Sequence, residues 1–90
     1  MVDTFISVII PVFNDAERLK ICLEALDNQT YPKEFYEVIV VDNGSDDNVE
    51  DAVNQFTQAK MATESSPGSY VARNKGLSLA KGEIIGFTDA

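Results

Sequence analysis

Two runs, Phe5-Ile6-Ser7-Val8-Ile9-Ile10 and Tyr36-Glu37-Val38-Ile39-Val40-Val41-Asp42, are rich in β-branched residues and almost continuously apolar. A strand with one face in water alternates apolar and polar side chains, whereas a strand covered on both faces loses that alternation. Both runs therefore read as inner strands of a parallel sheet, and such a sheet needs helices on each face. The chain between them supplies one helix. From Asp15 onward Ala16, Leu19, Leu23 and Leu26 recur at helical spacing, and Asn14 followed three positions later by Glu17 has the form of a capping box. Pro11 ends the first strand, Gln29-Thr30-Tyr31-Pro32-Lys33 ends the helix, and Asn43-Gly44 turns the chain out of the second strand.

The remaining chain continues the alternation. Ser45, Asp46 and Asp47 offer N-caps for a second helix, whose Val49, Ala52, Val53 and Phe56 form a stripe toward the sheet. Lys60 to Glu64 is where a third strand belongs. Ser69 to Lys81 reads as a third helix with Ala72, Gly76, Leu79 and Ala80 on one side. Gly76 there permits close packing on a strand, and Gly82 suits a left-handed C-cap. Glu83 to Thr88 is the last strand. The predicted fold is α/β: a Rossmann-like open parallel sheet of about four strands with helices on both faces. Ninety residues make one domain. A chain of this size leaves much surface uncovered, and Ile84, Ile85 and Phe87 predict an apolar edge through which copies self-associate.

Charge and composition remove several function classes. Residues 1–59 carry twelve acids and three bases, and residues 60–90 carry three acids and four bases. Such a chain has no basic face for duplex nucleic acid, although a nucleotide's few phosphates need only one cation or a few backbone amides. The single cysteine, Cys22, has no partner for a disulfide and no histidine nearby, so it reads as a core residue. No apolar run approaches a membrane span, and the acidic start Met1-Val2-Asp3-Thr4 is unlike a secretory signal. The expected location is the cytoplasm, with the longer protein at the inner face of the cell membrane.

In open parallel sheets ligands sit beyond the carboxyl ends of the strands. Polar residues gather at each of these ends: Asn14 and Asp15, Asp42 to Asp46, Glu64 to Gly68, and Thr88 with Asp89. The first turn reads Pro11-Val12-Phe13-Asn14-Asp15-Ala16, which has neither the glycines of a dinucleotide fingerprint nor a phosphate-cradling P-loop.

Five segments together carry a resemblance: Ile6 to Asn14 (ISVIIPVFN), Leu23 to Pro32 (LEALDNQTYP), Val40 to Asp47 (VVDNGSDD), Ala72 to Gly76 (ARNKG) and Phe87 to Ala90 (FTDA). In this order they resemble the nucleotide-binding half of family 2 glycosyltransferases, which have the GT-A fold. The resemblance spans nearly the whole chain and implies the first half of a GT-A domain over residues 1–90, cut within its D-x-D motif. It implies that Pro11, Val12, Phe13 and Asn14 line the base and ribose pocket, with Phe13 where the family often has tyrosine. Asp42, with Asn43 and Gly44 beside it, matches the aspartate that accepts from a uracil imide. Arg73 matches an arginine reaching the nucleotide, and Asp89 matches the first D-x-D aspartate, on the metal side of the site. The implied activity is transfer of a sugar from a nucleotide-diphosphate donor, a UDP-sugar, to an acceptor hydroxyl, with divalent Mg2+ or Mn2+. The acceptor is a saccharide, lipid or protein, and the catalytic base falls outside these residues, so the 90-residue chain alone is expected to be inactive.

Each of these residues also has a purely structural use. Asp42 to Ser45 can be a turn and helix cap, Asn14 an N-cap, Arg73 a solvated helix charge, and Asp89 a strand-end carboxylate without metal. The rival functions are a degenerate, non-catalytic homologue or another nucleotide-binding α/β module. A phosphate-receiving signalling domain is disfavoured, because the first strand does not end in adjacent acids and no lysine ends the last.

Overall fold

In the computed structural model, which describes residues 4–45, 48–66 and 68–88, the chain builds β1 (Ile6–Val12), α1 (Ala16–Asp27), β2 (Tyr36–Asp42), α2 (Val49–Asn54), β3 (Ala59–Thr63), α3 (Ser69–Leu79) and β4 (Ile84–Phe87). The four strands form one parallel sheet in the order β3-β2-β1-β4. The register pairs Ile6 with Tyr36 and Val12 with Asp42 on one side of β1, and Ile6 with Ile84 through Ile9 with Phe87 on the other. The α/β sheet expected from the two apolar runs is thus present, with its inner strands where those runs lie.

Because side chains alternate across a strand, β1 and β2 supply both cores. Ile10, Val12, Val38 and Val40 pack with Leu19 and Leu23 of α1 and Val49, Ala52 and Val53 of α2. Ile9, Ile39 and Val41 face the other way and pack with Ala72 of α3. Helices therefore cover both faces, two on one side and one on the other. Cys22 packs at the margin of the larger core, as does Phe56 just beyond the end of α2.

Several local expectations are corrected. Pro11 lies within β1 rather than ending it. Ile9 O accepts from Thr88 N and Val12 O from Asn43 N, so alternate residues address β4 and β2. Pro11 shares the β4 side with Ile9, and the β1–β4 pairing stops at Ile9, so its missing N–H interrupts no described ladder bond. The N-cap of α1 is Asp15, not Asn14: its carboxylate accepts from Arg18 N at 3.4 Å, while Asn14 takes a left-handed φ of 51° in the preceding turn. Asn48, not Ser45, stands at the N-cap of α2, and Asp46 and Asp47 lie outside the described residues. α3 stops at Leu79, which is exposed, and Ala80 leaves the helix with extended backbone. Gly82 is not among the glycines with positive φ and so makes no left-handed cap.

Ser7 and Glu37 are the buried polar residues of the described core. The Glu37 carboxylate accepts from Ser7 Oγ at 2.6 Å and Lys81 N at 2.8 Å, and pairs with Lys60 Nζ at 2.8 Å. Burial opposes its charge, but the Lys60 ammonium, the Ser7 hydroxyl and the Lys81 amide outweigh burial and hold the carboxyl below its ordinary value. The unfolded chain then takes up this proton first as pH falls. The stabilisation is complete above the ordinary glutamate value of about 4.3 and is lost as pH drops through the lower folded value. The Tm gap between wild type and Glu37→Gln should stay constant from about pH 7 to pH 5 and close at lower pH. A gap that widens on acidification would contradict this reading.

Candidate functional site

At the carboxyl ends of β2 and β3 a cleft of about 440 Å³ is lined by Asp42, Gly44, Thr63, Glu64, Ser65 and Lys75. Its volume falls within the range of small-ligand sites, roughly 300–1,000 Å³. The loops around it are tied to one another by side chains. Asp42 Oδ1 accepts from Ser45 N at 3.0 Å, closing the turn after β2. Ser45 Oγ in turn accepts from Asn14 N at 2.9 Å, which joins the loop after β1 to that turn. Asn43 Nδ2 donates to Glu64 O at 2.9 Å and Ser66 O at 2.7 Å, and its Oδ1 accepts from Gly68 N at 3.0 Å. Three loops are thereby fixed relative to one another before any ligand arrives, which lowers the ordering cost of binding. Gly44 completes the turn with a φ of +86°, a conformation that L side chains seldom adopt.

The sequence-derived candidates fall into three groups. Asp42 and Gly44 line the cleft. Asp42 is half-buried, and its second carboxylate oxygen has no hydrogen-bond partner among the described residues. Asn43, Asn14, Pro11, Val12 and Phe13 shape the surroundings. Asn43 is the tie between loops, Pro11 and Val12 are buried within β1, and Phe13 is 62% exposed at the strand's carboxyl end. Arg73 is half-buried on α3, and Asp89 lies outside the described residues.

Lys75 and Thr63 were not singled out from the sequence. Lys75 makes no ion pair among the described residues and stands in a cleft with two carboxylates, those of Asp42 and Glu64. Its signal was helical period: it lies three residues after the fully buried Ala72 and next to Gly76, at the margin of the buried face of α3. Such a cleft can hold a ligand that is anionic at one end and carries N–H or O–H donors at the other. The ammonium meets the anion, and the carboxylates accept from the donors. Among the described residues no group of three or more His, Cys, Asp or Glu side chains gathers in a cluster that could hold a metal ion.

The fold recurs in proteins of known class. The sequence profile of Glycosyl transferase family 2 matches residues 7–90. Glycosyltransferase AglE of Haloferax volcanii is 47% identical over an alignment covering 94% of this chain and 30% of AglE. The structure of mannosyltransferase PcManGT from Pyrobaculum calidifontis, in complex with GDP-Man and Mn2+, superposes with a TM-score of 0.88 at 30% identity, over 99% of this chain and 28% of that one. S. aureus TarS 1–349 in complex with UDP-GlcNAc gives a TM-score of 0.81 at 32% identity, over 94% of this chain and 26% of its own. The chain thus spans about a third or less of the length of these relatives. With a Rossmann-like sheet of GT-A type and a profile match running from the first buried strand to the last residue, the chain belongs to glycosyl transferase family 2.

Proposed function

We propose that residues 1–90 form the donor-binding part of a glycosyltransferase that moves a sugar from a nucleoside diphosphate, a UDP-sugar, to an acceptor hydroxyl. The reading is carried by Asp42, a half-buried carboxylate at a strand end with one oxygen fixed by Ser45 N and the other open to a donor. In it, Asp42 accepts from the N–H of the base, the exposed Phe13 ring packs against the nucleoside, and Lys75 lies toward the diphosphate. Glu64 accepts from ribose hydroxyls. The acceptor oxygen bonds to the anomeric carbon as the bond to the diphosphate breaks, and the hydroxyl proton passes to a carboxylate base. A divalent cation, as Mn2+ in the PcManGT complex, would neutralise the departing diphosphate.

Since the chain spans 30% of AglE, the reading assigns it nucleotide recognition and leaves the acceptor to other residues of a longer protein. The purified 90-residue chain should therefore transfer no sugar from UDP-glucose, UDP-GlcNAc or GDP-mannose to saccharide acceptors. Turnover with any of them would overturn that assignment.

The isolated chain also presents an edge for self-association. β4 pairs only with β1 in the described sheet, with Ile84 51% and Phe87 48% exposed. Light scattering at rising concentration should show dimers or larger species, and a strict monomer would contradict this.

A further inference from the structure

The amino end of the sheet holds a polar chain that crosses β3, β2 and β1 and reaches the turn ahead of β4. Lys60 of β3 pairs with Glu37 of β2, Glu37 accepts from Ser7 of β1, and Ser7 Oγ accepts from Gly82 N at 2.8 Å just ahead of β4. The same Glu37 oxygen that receives the Ser7 hydroxyl also receives Lys81 N at 2.8 Å. Glu37 and Ser7 thus hold the two central peptide N–H groups, those of Lys81 and Gly82, of the four-residue α3–β4 connection. The approach is close enough to require glycine: a Cβ on Gly82 would lie 2.6 Å from Ser7 N and 2.9 Å from Phe5 O.

β4 depends on this anchorage more than the other strands do. It has four residues, pairs with a single neighbour, and exposes Ile84 and Phe87, so its own packing specifies its position weakly. A slip of one residue would exchange its faces and move its carboxyl end by about 3.3 Å. We propose that Glu37 is a positioning residue: by holding Lys81 directly, and Gly82 through Ser7, it sets the register of β4 against β1. It thereby sets how far the carboxyl end of β4, about 13 Å further along the strand, reaches at the end of the sheet where the nucleotide cleft lies, with β1 between β4 and the cleft-lining strands. The consequence for the cleft rests on the donor-site reading above, whereas the register lock does not.

Amide hydrogen exchange followed by NMR on the 90-residue chain separates the lock from general stability. Glu83 N and Thr88 N bond to Phe5 O and Ile9 O across β1–β4, while Val38 N and Asn43 N bond to Gln58 O and Val12 O elsewhere in the sheet. Glu37→Leu should speed exchange at Glu83 and Thr88 about tenfold more than at Val38 and Asn43. Ser7→Ala should do the same more weakly. Glu37→Gln should keep the wild-type pattern, because its side-chain oxygen can still accept from Ser7 and Lys81. Val53→Ala, a cavity on the opposite face, should speed all four sites alike.

If Glu37→Leu does not fold, Ser7→Ala decides. Uniform acceleration in Ser7→Ala, matching Val53→Ala, would overturn the lock. Titration of Ser7→Ala with UDP then tests the second half. Weaker binding than wild type is expected, and unchanged binding despite a loosened β4 would overturn the link to the cleft. Failure of the wild type itself to bind UDP would refute the donor-site reading and leave the exchange result to decide the lock.

Discussion

Replacing Asp42 with alanine is expected to weaken UDP binding by roughly tenfold to a hundredfold, the loss of a charge-assisted hydrogen bond of about 1.5–3 kcal/mol. The proposed function gives the carboxylate a second job beside its turn contact, and the substitution separates the two in size. Its Oδ1 closes the turn by accepting from Ser45 N, and that contact is a capping interaction of about 1 kcal/mol in stability. In the proposed donor site the other oxygen accepts from the base, so its loss would leave a base N–H without an acceptor beside a cleft that Asp42 lines. Calorimetric titration of wild type and Asp42→Ala with UDP, with melting temperatures on the same samples, reads both effects. Equal affinity with a lowered Tm would reduce Asp42 to a turn residue and withdraw the pocket role from Asn43 and Gly44 with it.

A second large effect is expected at Gly76, where α3 lies on β1. A Cβ there would sit 2.4 Å from Ile9 Cγ2 and 3.3 Å from Ile9 Cβ. Ile9 is fully buried, packed with Ile39, Val41 and Ala72, and cannot swing aside. Gly76→Val should therefore force α3 off the sheet at a cost of about 2–3 kcal/mol, even after the modest gain in helix propensity. That is a large share of the stability of a domain this small. Urea denaturation would show a fall in midpoint with little change in slope. A midpoint within error of wild type would mean that the helix and strand do not approach as closely as described. Because Lys75 precedes Gly76, a lifted α3 would also remove the ammonium from the cleft, so nucleotide affinity should fall with stability.

The strands were legible where both faces of the sheet are covered. Val38 to Val41 and Ile9 to Ile10 have no solvent side to mark with polar residues, and they lie in the inner strands. β3 was faint because it is an edge: Lys60 and Thr63 are exposed, and its remaining residues are small or only half-buried. The cap of α1 was misplaced by one residue, since Asn14 and Asp15 are both good N-caps and only the turn geometry chooses between them. Gly82 was assigned a conformational reason when its reason is steric, the approach of Ser7 and Phe5 from a strand some 75 positions earlier in sequence. The Glu37 knot was invisible for the same cause. Its partners lie 30 and 44 residues away, and a glutamate at the start of a strand looks like a solvated end. Of the candidate site, Asp42 and Gly44 were readable from motif and position, whereas Lys75 required knowing which face of α3 meets the sheet.

The central claim, that the carboxyl end of this sheet receives the nucleotide of a sugar donor, is tested most directly by titrating the ¹⁵N-labelled chain with UDP and following its amide resonances. The expected result is saturable shifts concentrated at Asp42, Gly44, Thr63, Glu64 and Lys75, with little change at Ser7, Glu37 and Lys60 at the opposite end of the strands. Shifts spread evenly over the surface, or a saturable response centred away from the carboxyl ends of β2 and β3, would contradict it.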